Sequence, residues 1–174
     1  MNFKKNLVFL GMMGSGKSSI GKLVSKKLCL KFIDTDDLIT NEEGMNISKI
    51  FEVNGESYFR NIEEKIILKI LKKGGHVISL GGGSFINDKI RNEVVENHSS
   101  YWLYWDESIL IKRIVNSKKR PLAFRSSSEE IKQIIKKRSK IYSKAKFKIN
   151  CNKLTKTEIV KKIIKINDLN QIKS

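Results

Sequence analysis

Disulfide frameworks, zinc sites and membrane spans each need residues that this chain of 174 has in short supply. It holds two cysteines, two histidines and one proline. Cys29 and Cys151 make neither a framework nor a metal-ligand spacing, and His76 and His98 add too little for a zinc site. No apolar stretch approaches the roughly 20 residues of a membrane span. Leu7–Met13 runs straight into a glycine-rich loop, so it reads as part of the fold and not as a signal peptide. The expected setting is the reducing cytoplasm.

Acidic residues are few as well, 18 against 35 Lys and Arg, which leaves a net charge of +17. Such an excess suggests nucleic acid. However, 29 of the basic residues are Lys and only 6 are Arg, spread along the whole chain. No aromatic array accompanies a basic stripe, as stacking on single strands requires. The charge reads as a solvated, lysine-rich surface that steers anionic small molecules, with no nucleic-acid or membrane partner expected. In a chain that fills basic positions with Lys, an Arg suggests a site needing its planar, bidentate fork. The six are Arg60, Arg91, Arg113, Arg120, Arg125 and Arg138.

What the chain does have is Gly11-Met-Met-Gly-Ser-Gly-Lys-Ser18, which fits G-x-x-x-x-G-K-[ST]. The strand-like run Leu7–Leu10 precedes it, and Ile20, Leu23, Val24 and Leu28 follow at helical spacing. Glycines there let backbone N–H groups turn around phosphate oxygens, and the helix N-terminus favours the anion. Lys17 is placed to reach the β- and γ-phosphates and the Ser18 hydroxyl to ligand Mg²⁺. The motif predicts a bound nucleoside triphosphate.

Four further strand-like runs follow: Lys31–Asp34, His76–Leu80, Ser100–Trp105 and Lys146–Asn150. Between them lie helical stripes. Ile62, Ile66, Ile67, Ile70 and Leu71 form one, ended by Gly74-Gly75; Ile109, Leu110 and Ile114 form another, with Asp106 as N-cap. Ile131, Ile134, Ile135, Arg138 and Tyr142 mark a third, and Thr155–Ile166 a last. This alternation predicts one α/β domain over residues 1–174, a mostly parallel sheet with helices on both faces, and ligands beyond the carboxyl ends of the strands. Residues 118–130 lack an apolar period and carry Arg120-Pro121 and Arg125. They read as a solvated linker or as a mobile lid that brings arginine onto the phosphates.

Three acids, Asp34, Asp36 and Asp37, close the second strand. They suit a Mg²⁺ shell and an acceptor hydroxyl, although helix capping alone would use one of them. Gly81-Gly82-Gly83 closes the third strand, and three glycines make sense where backbone must approach a ligand. Arg60 and Glu63 are spaced to pair on one helical face, as a site or as a surface salt bridge. Arg138, Tyr142 and Ala145 share another face, on which Arg138 is a site residue or an ordinary basic one.

Taken together, the phosphate loop, Asp-x-Asp, Phe59-Arg60-x-x-Glu63, the triple glycine, Arg120-Pro-Leu and Arg138-x-x-x-Tyr142-x-x-Ala145 resemble the shikimate kinase family over about residues 5–165. The resemblance implies a three-layer α/β/α P-loop kinase fold with a five-stranded parallel sheet and a mobile lid at about 118–130. It implies a monomer that transfers the γ-phosphoryl group of ATP to the 3-hydroxyl of shikimate. In that reading Asp36 holds the shikimate hydroxyls and acts as base. Arg60 and Arg138 clamp the carboxylate, Glu63 braces Arg60, and Gly81, Gly82 and Gly83 line the acceptor pocket. ATP falls to Gly14, Ser15, Gly16, Lys17, Ser18 and Ser19, with Arg113 near adenine and Arg120 on the transferring group. Ser18 ligands Mg²⁺, and Asp34 acts through its water shell. Three departures from the family pattern stand out: no proline in Asn150–Leu154, Ala123 after Arg-Pro-Leu, and Ser19 for threonine. The rival readings are a kinase of gluconate or a nucleoside monophosphate, and a non-catalytic nucleotide- or nucleic-acid-binding regulator.

Overall fold

The computed structural model describes residues 5–115 and 127–172. Strand β1 (Leu7–Leu10) is apolar throughout and buried at every position, as a strand covered on both faces must be. It lies at the centre of a five-stranded sheet with β2 (Lys31–Asp34), β3 (His76–Ser79), β4 (Ser99–Tyr104) and β5 (Phe147–Asn150). The order is β2-β3-β1-β4-β5 and every pairing is parallel, as the strand–helix alternation predicts. Ends differ by a residue. Strand β3 stops at Ser79, although the Leu80 N–H still donates to the Phe9 carbonyl. Strand β4 begins one residue before Ser100 and stops before Trp105. Strand β5 starts after Lys146, whose N–H is taken by the Ser100 hydroxyl.

The helices are α1 (Lys17–Leu28), α2 (Thr35–Glu43), α3 (Ile47–Leu71), α4 (Asp88–Asn97), α5 (Glu107–Val115), α6 (Ser128–Tyr142) and α7 (Lys156–Ile172). Helix α1 pairs with α7 on one face; α3 with α4, and α5 with α6, pair on the other, as right-handed crossovers require. No helix among the described residues is long and apolar enough to cross a membrane.

Several expectations are corrected by caps. The stripe beginning at Ile62 is only the second half of α3, which starts at the N-cap Asn46 and is broken at Gly55. Helices α2 and α4 had no clear apolar period, yet Asp34 and Asn87 cap them. Of the expected lid, Ser127–Glu130 belongs instead to the start of α6, closed by a Ser127–Glu130 capping box. The rest of that segment, Arg120, Pro121 and Arg125 included, lies outside the described residues. Helix α7 runs on past Ile166, and Thr155 and Glu158 exchange bonds at its start. Ala145 falls beyond α6, in a turn closed by its own N–H on the Tyr142 carbonyl. Asp106 does occupy the N-cap position of α5, where its carbonyl accepts from Ile109 and Leu110.

Two hydrophobic clusters hold these elements. The larger lies on both faces of the sheet around Val8, Phe9, Ile78 and Tyr101. A smaller one, Ile39, Ile50, Phe59 and Ile66, locks α2 onto α3. At the amino edge of the sheet, buried Asn6 donates to the Leu71 carbonyl and accepts from the His76 N–H, which ties the end of α3 to the start of β3.

Candidate active site

The carboxyl ends of β1, β2 and β3 carry the phosphate loop, the aspartates and the triple glycine. Because these strands are neighbours, three motifs distant in sequence meet at one edge. In the loop, Gly14 and Gly16 have φ of 79° and 90°, left-handed values that a side chain would strain. Lys17 heads α1 and lies back along the loop, its Nζ donating to the carbonyls of Gly11 (2.9 Å) and Met12 (3.1 Å). The Ser15 hydroxyl is buried with no hydrogen-bond partner, and a Cβ on Gly16 would meet nothing within 4 Å. An orphaned hydroxyl, backbone donors at a helix start and a lysine resting on carbonyls form a donor set that suits a phosphate chain. Ser19 follows in the first turn of α1, half-buried.

Asp34 performs two tasks. One carboxylate oxygen accepts the Asp36 N–H at 3.1 Å and so caps α2; the other accepts the Ser18 hydroxyl at 2.5 Å. Of the sequence alternatives, helix capping is therefore met by Asp34, whose second oxygen is bonded to Ser18. Among the described residues no group of three His, Cys, Asp or Glu forms a metal cluster. The Ser18–Asp34 pair, with phosphate oxygens and water completing the shell, is the donor chemistry that Mg²⁺ accepts.

A cavity of about 330 Å³ opens beside the loop and is lined by Lys17, Ser18, Asp34, Asp36, Arg60, Gly81, Gly82, Gly83 and Arg138 among others. Arg60 and Glu63, one turn apart on α3, pair at 2.7 Å, and Glu63 is buried. The second Glu63 oxygen accepts the Ser84 hydroxyl at 2.7 Å, so the carboxylate is held at both ends. Burial works to lower the Arg60 pKa, but hydrogen bonds and charge from Glu63 and Glu56 outweigh it and leave it raised. The rings of Phe51 and Phe59 lie 6.0 and 5.1 Å from the guanidinium carbon.

The glycines fit against this set closely. A Cβ on Gly81 would fall 2.5 Å from an Asp36 carboxylate oxygen, and one on Gly83 would fall 3.1 Å from an Arg60 nitrogen. The Gly81 N–H donates to the buried Thr35 hydroxyl at 2.9 Å. From α6, Arg138 and Tyr142 both donate to the Gly82 carbonyl, at 3.1 and 2.5 Å. Burial pushes the Tyr142 hydroxyl up to about 12, with Arg138 working the other way, so it stays a donor.

Of the residues singled out from sequence, one cavity gathers Lys17, Ser18, Asp34, Asp36, Arg60, the three glycines and Arg138. Arg113 stands apart on α5, its guanidinium 3.6 Å from the Trp105 ring centroid. Arg120 lies outside the described residues. Sequence reasoning missed Thr35, Ser84, Ile47, Ser48, Phe51 and Trp105. Thr35 and Ser84 adjoin motifs already recognised, which was the available signal; Ile47, Ser48 and Phe51 sit on the unrecognised half of α3, and Trp105 reads as ordinary strand.

Comparisons with known proteins agree with this geometry. The sequence model described as "Shikimate kinase" matches residues 13–167. Shikimate kinase of Sulfurihydrogenibium sp. is 41% identical over 160 residues, 92% of this chain and 96% of that protein. The crystal structure of shikimate kinase from Aquifex aeolicus superposes with a TM-score of 0.86 at 34% identity, covering 97% of this chain and 99% of that one. The enzyme from Acinetobacter baumannii, solved in complex with shikimate, gives 0.88 at 25% identity, over 96% and 94% of the two chains. A gluconokinase from Sinorhizobium meliloti reaches only 0.60 at 17% identity, a likeness of fold alone. By sequence, by fold and by the side chains gathered at one sheet edge, this chain belongs to the shikimate kinase family.

Proposed function

We propose that the protein transfers the γ-phosphoryl group of ATP to the 3-hydroxyl of shikimate, giving shikimate 3-phosphate and ADP, a step in aromatic amino-acid biosynthesis. One observation carries the reading: a single cavity sets two guanidinium groups, Arg60 and Arg138, beside Asp36 and against the phosphate loop. A small ring bearing a carboxylate and hydroxyls suits that set, with two forks for the carboxylate and an acceptor for a hydroxyl proton.

Each residue then has a task. Arg60, braced by Glu63, and Arg138, oriented on the Gly82 carbonyl, hold the carboxylate. Asp36, close over Gly81, takes the proton of the attacking hydroxyl. Lys17 leaves the Gly11 and Met12 carbonyls for the β- and γ-phosphates, while the amides of Gly14, Ser15, Gly16, Ser18 and Ser19 cradle them. Arg113 offers its exposed guanidinium to adenine. Arg120, in the lid expected over about residues 118–130, adds positive charge at the transferring group and helps exclude water. Ser18 would hold Mg²⁺, with Asp34 acting through water, and the ion would supply neutralisation of the phosphate charge. The enzyme acts as a monomer in the cytoplasm on two small molecules.

Coupled measurement of ADP release tests this directly. We expect release that needs ATP, Mg²⁺ and shikimate together, stops on chelation, and does not occur with gluconate or nucleoside monophosphates. Absence of shikimate-dependent ADP would overturn the reading. Light scattering at a mass above 20.0 kDa would overturn the monomer.

A further inference from the structure

Trp105 belongs to neither the phosphate-loop motif nor the acceptor clamp, yet it touches the loop from beyond β4. The residue is 8% exposed, and its indole Nε1–H donates to the Ser15 carbonyl at 2.9 Å across 90 residues of chain. On its face lies the Arg113 guanidinium, 3.6 Å from the ring centroid. The Arg113 stem lies beside the loop as well, its Cβ 3.5 Å from where a Gly14 Cβ would be.

We propose that Trp105 is a positioning residue for the nucleotide half of the site, setting both a phosphate-binding peptide and the cationic platform for the base. The proposal rests on the reading of Gly11–Ser18 as a triphosphate cradle.

The Ser15–Gly16 peptide is fixed by the indole bond. In a planar trans peptide the C=O and the N–H point in opposite directions. Holding the Ser15 carbonyl on the indole therefore turns the Gly16 N–H away from Trp105, so that a donor faces the anion. Glycines on both sides of Ser15 leave that peptide cheap to flip, since Gly14 and Gly16 have few steric limits. A flipped peptide would present an oxygen to a phosphate, and the indole bond opposes that state.

Arg113 is an exposed residue whose guanidinium carbon lies 3.6 Å from the Trp105 centroid, so the ring supports the cation while leaving it accessible to a base. An arginine held flat on a ring loses less side-chain freedom when a purine stacks on its outer face. The loop Asn150–Leu154 offers no proline as a second wall, so the platform depends more on what supports Arg113.

Two variants separate these contributions. Trp105→Phe keeps an aromatic face for Arg113, though a smaller one, and loses the N–H; Trp105→Leu loses the N–H and the aromatic face together. Binding is measured by calorimetry for ATP, tripolyphosphate, adenosine and shikimate. For Trp105→Phe we expect ATP and tripolyphosphate affinity to fall roughly three- to tenfold, the range of one hydrogen bond. Adenosine and shikimate should bind as in the wild type. Trp105→Leu should weaken adenosine too and still spare shikimate. Wild-type affinity for tripolyphosphate in Trp105→Phe, or an equal loss of ATP and shikimate in either variant, would overturn the proposal. Failure of the wild-type protein to bind ATP would instead overturn the reading beneath it.

Discussion

The Tyr142 hydroxyl donates to the Gly82 carbonyl across 60 residues of sequence, joining α6 to the glycine loop that lines the cavity. Arg138 shares that carbonyl, so the loop and the arginine are oriented on one atom. Tyr142→Phe removes one of the two donors at a buried place and should cost about 1 kcal/mol of stability. Because Arg138 keeps its bond, the KM for shikimate should rise only a few-fold. Urea denaturation and steady-state kinetics check both. An unchanged midpoint would show that the bond is idle.

Arg60→Lys keeps the positive charge but loses the fork that Glu63 and Glu56 hold. Shikimate affinity should fall by roughly tenfold or more, the scale of a charged hydrogen bond. ATP affinity should stay near that of the wild type, since the Arg60 hydrogen bonds run to Glu56 and Glu63 on its own helix. Equal losses for both substrates would contradict the assignment.

Gly81→Ala places a methyl group 2.5 Å from the Asp36 carboxylate and 2.8 Å from the Ser84 hydroxyl. Ser84 does not yield easily, because it is bonded to buried Glu63, so Asp36 is the neighbour that must move. Displacing Asp36 by about 1 Å should lower kcat by roughly a hundredfold with ATP binding retained. A crystal structure of the variant with Asp36 unmoved would refute the cause.

His98 supplies a pH dependence. It is buried, its ring nitrogens lack hydrogen-bond partners, and the Glu93 carboxylate stands 3.5 Å away outside hydrogen-bond geometry. Burial lowers its pKa below the ordinary 6.5, Glu93 opposes the shift and Lys5 adds to it. The unfolded chain therefore binds the proton more readily than the folded one. This contribution to stability is full above pH 6.5 and is lost as pH falls through the lower folded value. The denaturation midpoint of the wild type should drop from about pH 6.5 to pH 5, and the drop should be shallower in His98→Gln. Parallel profiles would exclude His98 as the source.

Much of the site was legible because its parts are local. The phosphate loop is eight consecutive residues between a strand and a helix, and Arg60 and Glu63 meet by helical spacing alone. The triple glycine suggested backbone close to a ligand; what the structure shows is the protein's own Asp36 carboxylate packed over Gly81. Element ends were harder to read. Gly55 splits the apolar period of α3, so that Ile47, Ser48 and Phe51 escaped notice as pocket wall. Ser127 looked like a loop residue because capping residues and loop residues are the same types.

By itself the sequence determined the class of fold, the phosphate cradle and the family, because each rests on residues that act through their immediate neighbours. Tertiary structure alone decided which distant groups share an atom: Ser84 with Glu63, Tyr142 with Gly82, Asn6 with Leu71 and His76, and Trp105 with Ser15. Such pairs depend on strand order and helix packing, which set the distance between residues independently of their separation along the chain. No local spacing encodes them.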